Sequence, residues 1–192
     1  MKKLIDFFNQ YVTLSEEEIL FLKKSVAVKH FDKGDLLLAE GAISKTFYFI
    51  ISGCVRLYYS SDGEERTAFF YEENDFVSAY DSFVNKQPSK QNFEVVEPCK
   101  LACFSQEVAA ELLNKFPKFE ILARLMMEKE LMVCQDVIST FVALNPSQRY
   151  EKLQKEKPHL LQRVPQIYLA SFIGVQPESY SRIKNRLSKA GS

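Results

Sequence analysis

The chain has 192 residues, 46% hydrophobic and 13% aromatic, with 25 Lys and Arg balanced by 25 Asp and Glu. Such a composition supplies a packed core and excludes an intrinsically disordered chain. No run approaches the ~20 apolar residues of a membrane span, and the start MKKLIDFFNQ lacks a signal-peptide apolar region. A cytoplasmic, bacterial protein with no membrane partner is expected.

Zero net charge conceals an asymmetry. From Asn145 onward there are nine Lys and Arg against three acids, a balance of +6 that leaves −6 on the remainder. A basic segment on an acidic body points to an anionic partner for that segment alone. The four cysteines, Cys54, Cys99, Cys103 and Cys134, form no CxxC pair. They read as small buried hydrophobes in a reducing compartment, and neither a disulfide framework nor a metal site fits their spacing.

In chain order, the first ~25 residues read as helical. Ser15 with Glu18 three residues on is a capping-box pattern, with Ile19, Leu20 and Leu22 as the apolar side. From about Val26 to Ser105 come short β-rich runs, VAVKHF, DLLLAE, TFYFII, CVRLYYS, RTAFFY, NFEVVE and KLACFS, punctuated by glycines and an Asp62–Gly63 hairpin turn. Their even spacing predicts a compact antiparallel roll or barrel. Tyr48, Tyr58, Tyr71, Tyr80 and Phe83 are read as core and hairpin packing, with an aromatic pocket as the alternative.

A helix is expected at Gln106–Lys115. Lys118 to Leu144 then contains no Gly or Pro and predicts one helix extending ~40 Å. Its apolar residues fall on several lines: Ile121, Leu125 and Met132; Leu122, Met126 and Val133; then Val137, Ile138 and Phe141. A helix apolar on several sides needs two neighbours, read as the roll and the same helix of a second subunit. Asn145 followed by Pro146 restarts a helix as N-cap and first helical residue, and that helix ends by Pro158. The resulting fold class is α+β, organised as a β-roll with flanking helices (1–117), a long dimerisation helix (118–144) and a C-terminal helical domain (145–192).

That last domain carries LASFIGVQPESYSRI. With Gln166 as the first residue of a helix-turn-helix, Leu169, Ile173, Val175, Tyr180 and Ile183 take the positions that must be apolar. Ala170 falls where two crossing helices approach, and Gly174 falls in the turn, where a left-handed backbone favours glycine. The second helix begins near Gln176–Pro177, with Tyr180, Ile183 and Leu187 inward. Glu178, Ser181, Arg182 and Asn185 then face outward, where Arg suits guanine and Glu suits cytosine N4. Gln176 stands at the same edge, while Ser179, Lys184, Arg186 and Lys189 suit phosphates. A surface salt bridge between Glu178 and Arg182 is the plainer alternative.

This order of parts resembles the Crp-Fnr family of bacterial transcription regulators. FDKGDLLLAEGAISKTFYFIISGCVRLYY is similar to the family's K-G-D…E-G…F-I-x-S-G-x-V stretch, and IGVQPESYSRI to its I-G-x-(S/T)-x-E-(S/T)-x-(S/G)-R-I signature. The resemblance implies a homodimer on two-fold double-stranded DNA, Glu178 and Arg182 as base readers, and RNA polymerase as a further partner it allows. It also implies a dimer interface along the long helix at Leu122, Leu125, Met126, Lys129, Met132, Val133 and Asp136. Pro177 stands where several members carry another Arg, so one base contact is expected to be missing.

The roll departs from the pattern of cyclic-nucleotide binders. Their Gly-Glu-Leu run and Arg-Ser/Thr pair correspond to FVSAYDS (76–82) and QPSKQNF (87–93) here. Ser78, Ala79 and Tyr80 supply no carboxylate, and Lys90, beside Ser89, lacks the bidentate grip of a guanidinium. These five are the candidate ligand residues, for an effector other than cyclic AMP or none at all. No cysteine precedes Cys54 to hold an Fe–S cluster, and His30 and His159 are isolated, so no cofactor is expected.

A small-molecule sensor acting through protein contacts is the alternative function. Catalysis is not expected: no phosphate loop, nucleophile elbow or metal-ligand spacing occurs, and the adjacent pairs Glu64–Glu65 and Glu72–Glu73 would point to opposite faces of strands.

Overall fold

The computed structural model describes residues 1–190, with side chains through Ser188. Two compact units emerge: residues 1–57 with 70–129, and residues 58–69 with 130–192.

In the first unit, helices α1 (Lys2–Phe8) and α2 (Glu16–Ser25) precede the strands. The capping box at Ser15 forms in full: the Glu18 N–H donates to the Ser15 hydroxyl, and the Ser15 N–H donates to Glu18 Oε2 at 2.6 Å. Glu18 also accepts from Lys118 Nζ at 2.9 Å. Burial works to raise its pKa, but these hydrogen bonds prevail and hold the carboxyl below its ordinary range. Leu20 departs from expectation. It is exposed, and Phe21 and Leu22 form the buried side of α2.

Each of the seven β-rich runs forms a strand: β1 (Ala27–Phe31), β2 (Leu36–Leu38), β3 (Thr46–Ser52), β4 (Val55–Ser61), β5 (Glu64–Tyr71), then, after a two-residue strand β6 (Phe76–Val77) and helix α3 (Tyr80–Asn85), β7 (Asn92–Val95) and β8 (Cys99–Ser105). One sheet runs β1-β8-β3-β6 and the other β2-β7-β4-β5. In the first, β8 pairs antiparallel with β1 (Ala27 opposite Cys103) and with β3 (Thr46 opposite Ser105). Asp62 and Gly63, both at positive φ, make the β4–β5 turn. Gly53 has no room for a side chain, since a Cβ there would lie 2.9 Å from Cys99 Cα and from the Pro98 carbonyl, and its φ is +105°. All four cysteines are free.

Phe47, Phe49, Ala102 and Phe104, on β3 and β8, pack against Leu4, Phe7 and Phe8 of α1. Phe47 stacks on Phe104 with centroids 4.6 Å apart. Helix α4 (Gln106–Lys115), capped by the Ser105 hydroxyl, and the start of α5 (Lys118–Ala143) complete this core through Leu112, Phe119 and Leu122. Each such side chain removed from water contributes about 1.5–3 kcal/mol. Arg56 and Glu94 form an ion pair with Arg56 1% exposed.

Helix α5 is continuous over 26 residues, about 39 Å. In the second unit follow α6 (Pro146–Glu156), α7 (Leu160–Arg163), α8 (Gln166–Phe172) and α9 (Pro177–Ala190). Asn145 caps α6 in a box with Gln148, and Pro146 occupies the first turn. Among these helices and their connections, Tyr150, Leu153, Leu160, Val164, Leu169, Ala170, Ile173 and Tyr180 are buried. Among the described residues no helix is long and apolar enough to cross a membrane.

Candidate nucleic-acid interface

Helices α8 and α9 are joined by Ile173–Gln176, with Gly174 at φ +70°. Leu169 and Ala170 are fully buried and Ile173 and Tyr180 nearly so, while Val175, Ile183 and Leu187 are half-buried. This sealed angle fixes which side of α9 is left over. Tyr180 meets Tyr150 edge to face, centroids 5.5 Å apart, and burial together with Tyr150 pushes its phenol up to about 12.

Gln176, Glu178, Ser181, Arg182, Asn185 and Arg186 are exposed, and Ser179 and Lys184 are half-buried. The side chain of Lys189 lies outside the described residues. Glu178 and Arg182 do not pair through their charges. Arg182 Nε donates instead to the Glu178 backbone carbonyl at 3.4 Å, and Nη2 to the Ser179 hydroxyl at 3.2 Å. Arg186 donates to the Ser147 hydroxyl of α6. These contacts are surface-exposed.

Two features escaped the sequence. The hairpin segment 58–69 belongs to the same compact unit as α8 and α9. Its Thr67 N–H donates to Ser171 Oγ, and Ser171 donates to the Glu65 carbonyl, both at 2.9 Å. Gln176 Nε2 reaches Glu64 Oε1 at 3.4 Å. The second feature is Arg149, counted with the basic surface but turned inward onto the helix-turn-helix turn, with Nε donating to the Ile173 carbonyl at 2.8 Å.

Along α5, Leu122 is 2% exposed within the core of the first unit and so is not left for a partner, while Met126 is half-buried against that core. Leu125 is half-buried. Lys129 pairs with Asp75 at 3.1 Å and Asp136 with Lys152 at 3.0 Å. Met132 and Val133 are exposed. A second apolar line runs through the exposed Met127, Leu131 (60% exposed), Ile138 (63%) and Phe141, with the half-buried Cys134 between them. Its steps of four and three are those of a coiled-coil seam.

The five candidate ligand residues do not converge. Ser78 and Tyr80 line a cavity, which Ala79, Ser89 and Lys90 do not. Ser89 is buried, its hydroxyl donating to the Gln91 carbonyl and accepting from the Gln91 N–H, while Lys90 is exposed. Phe83 lines the same cavity, but Tyr48, Tyr58 and Tyr71 do not. Among the described residues no three His, Cys, Asp or Glu side chains gather where they could hold a metal.

Residues 28–116 match the family described as the cyclic nucleotide-binding domain. Its fold is similar to that of solved proteins described as regulators of the Crp-Fnr type. The c-di-GMP-responsive global regulator CLP of Xanthomonas campestris matches with 19% identity and a TM-score of 0.74, covering 92% of this chain and 93% of that one. FixK2 of Bradyrhizobium japonicum matches at 14% and 0.75, with 86% of each chain covered. A crp/fnr-family regulator of Eubacterium rectale matches at 14% and 0.76, covering 97% of this chain and 89% of that one. At these identities the likeness is one of fold. No curated protein matches the sequence.

Proposed function

We propose that this Crp-Fnr-type chain is a transcription regulator that binds double-stranded DNA as a homodimer, without using a cyclic mononucleotide as effector. One observation carries the reading: Glu178, Ser181, Arg182 and Asn185 are exposed together on α9, opposite the buried Tyr180. An α-helix enters the major groove with such an edge forward, and Arg and Glu discriminate guanine and cytosine there. The +6 balance of residues 145–192 supplies sequence-independent attraction to phosphate.

The homodimer reading rests on the apolar seam of α5. A paired seam would present two copies of α9 to half-sites about 34–36 Å apart on a two-fold operator. The effector reading rests on the absence of a carboxylate at Ser78–Tyr80 and on the exposed position of Lys90.

Selection of duplexes from a random pool by the full chain tests the proposal. The expected product is an inverted repeat, with affinity falling steeply as salt rises. Enrichment of no sequence at low salt would reject DNA binding and leave protein contacts as the output. Enrichment of a single half-site bound by one subunit would reject the dimer.

A further inference from the structure

The first unit contains a cavity of about 280 Å³ bounded by the outer face of β3 and β8 and by helices α1, α3, α4 and α5. It is a cleft partly open to solvent, and a concave, mostly apolar lining of this kind is the usual character of a small-molecule site. Its floor is aromatic, built from Phe76 and Phe104, and no Lys, Arg, His, Asp or Glu lines it. Three apolar side chains that are themselves exposed, Tyr80, Val84 and Met127, stand at its edge.

One polar atom of the lining is buried without a partner. Ser78 Oγ is buried and has no hydrogen-bond partner. A buried hydroxyl without a partner is destabilising, and the usual resolution is a ligand or water that completes it. The adjoining helix α3 is held in place by its Ser82 hydroxyl, which accepts from the Ser44 N–H at 2.9 Å and donates to the Gln87 carbonyl. Gln106 Nε2 adds a bond to the Phe83 carbonyl at 2.7 Å.

We infer that this cavity is a binding site for a small neutral apolar molecule, aromatic in size, bearing a single hydroxyl or carbonyl that bonds Ser78. A phosphate or carboxylate is unsuited, because its charge would be desolvated with no cation to meet it. The volume lies at the lower end of ligand pockets, which sets the scale at one or two fused rings. The site extends the proposed function to regulation: Ala123 and Met127 belong to α5, and Met127 also begins the apolar seam. Occupancy would thus be felt on the helix proposed to pair the subunits.

The test uses 1-naphthol and naphthalene as probes on the full chain, without DNA, followed by quenching or enhancement of probe fluorescence. Saturable binding is expected, with 1-naphthol favoured roughly 2–10-fold by one hydrogen bond. In Ser78→Ala that preference disappears while naphthalene binding remains and Tm is unchanged or higher. Ala123→Trp, which fills the cavity from an exposed position, should weaken both probes at least about tenfold. If that variant fails to fold, Ala109→Leu is read in the same way. No saturable binding, or affinity unaltered in the folded filling variant, overturns the inference. Because no duplex is present, this outcome is separable from the fate of the DNA-binding proposal.

Discussion

The guanidinium of Arg149 lies over the Phe141 ring, 4.7 Å from its centroid, while Nε donates to the Ile173 carbonyl and Nη1 to the Leu144 carbonyl at 2.9 Å. One side chain thereby joins the end of α5, the start of α6 and the turn between α8 and α9. Gly174 completes the arrangement, since a Cβ there would stand 3.1 Å from the Phe141 ring. The planar fork and the stacking surface are specific to arginine. Arg149→Lys is expected to cost about 1–3 kcal/mol of stability in the C-terminal unit, read as a lower Tm. Gly174→Ala combines the φ of +70° with that close approach and should cost at least about 1 kcal/mol. Equal Tm values for either variant and the wild type would contradict this account of the turn.

Arg182→Ala removes a side chain whose present contacts, to the Glu178 carbonyl and Ser179, are exposed and weak. Stability should therefore change by less than about 0.5 kcal/mol. Binding to the selected duplex should weaken by about 1–3 kcal/mol, with discrimination relaxed at one base pair per half-site. Lys184→Ala should instead weaken all duplexes alike and reduce the salt slope by about one. Fluorescence anisotropy over a panel of single-substituted duplexes separates the two patterns.

The seam on α5 predicts the oligomeric state. Leu131→Asp puts a carboxylate in the middle of this apolar line at a position that is 60% exposed in the single subunit. Sedimentation should shift from dimer to monomer while Tm of the isolated subunit fold persists. Cys134 occupies the same seam and would face its counterpart across a parallel two-fold axis. Burial, with Glu130 adding to it, raises its thiol pKa, so oxidative cross-linking should be slow at neutral pH and faster above it. A covalent dimer formed through Cys134, and absent in Cys134→Ser, is the expected result.

Local signals were legible wherever the cause is local. Ser15 and Glu18, Asn145 and Pro146, and Gly174 each act over three or four residues, and each forms the cap or turn expected of it. The seven strands follow from dense β-branched and aromatic runs. The two-residue β6 and six-residue α3 are too short to impose a period on the sequence. Residues that act across the chain were not legible. Leu122 and Leu131 are both leucines on one helix, and only the position of the roll decides that the first is buried and the second exposed. The same holds for Arg149, indistinguishable in composition from a solvated cation, and for Ser78, whose hydroxyl is buried without a partner in a cavity built from distant parts of the chain. Arg56 could not have been read as buried before its pairing with Glu94 was known.

Alkaline titration gives a prediction independent of any ligand. Tyr180 is buried against Tyr150, and its phenol is pushed up to about 12 from an unfolded value of about 10. The folded state therefore favours the neutral form, and the tyrosinate is more easily accommodated in the unfolded chain. This contribution to stability is present in full below about pH 10 and is lost as pH rises through about 12. Burial raises Tyr150 in the same direction. Duplex binding and the helical signal should fall together across that window, with tyrosinate absorbance appearing in the same step rather than before it. Tyr180→Phe keeps the ring contact and deletes the ionisation, so its alkaline transition should move upward. A transition in the variant at the same pH as in the wild type would mean that another group drives alkaline unfolding.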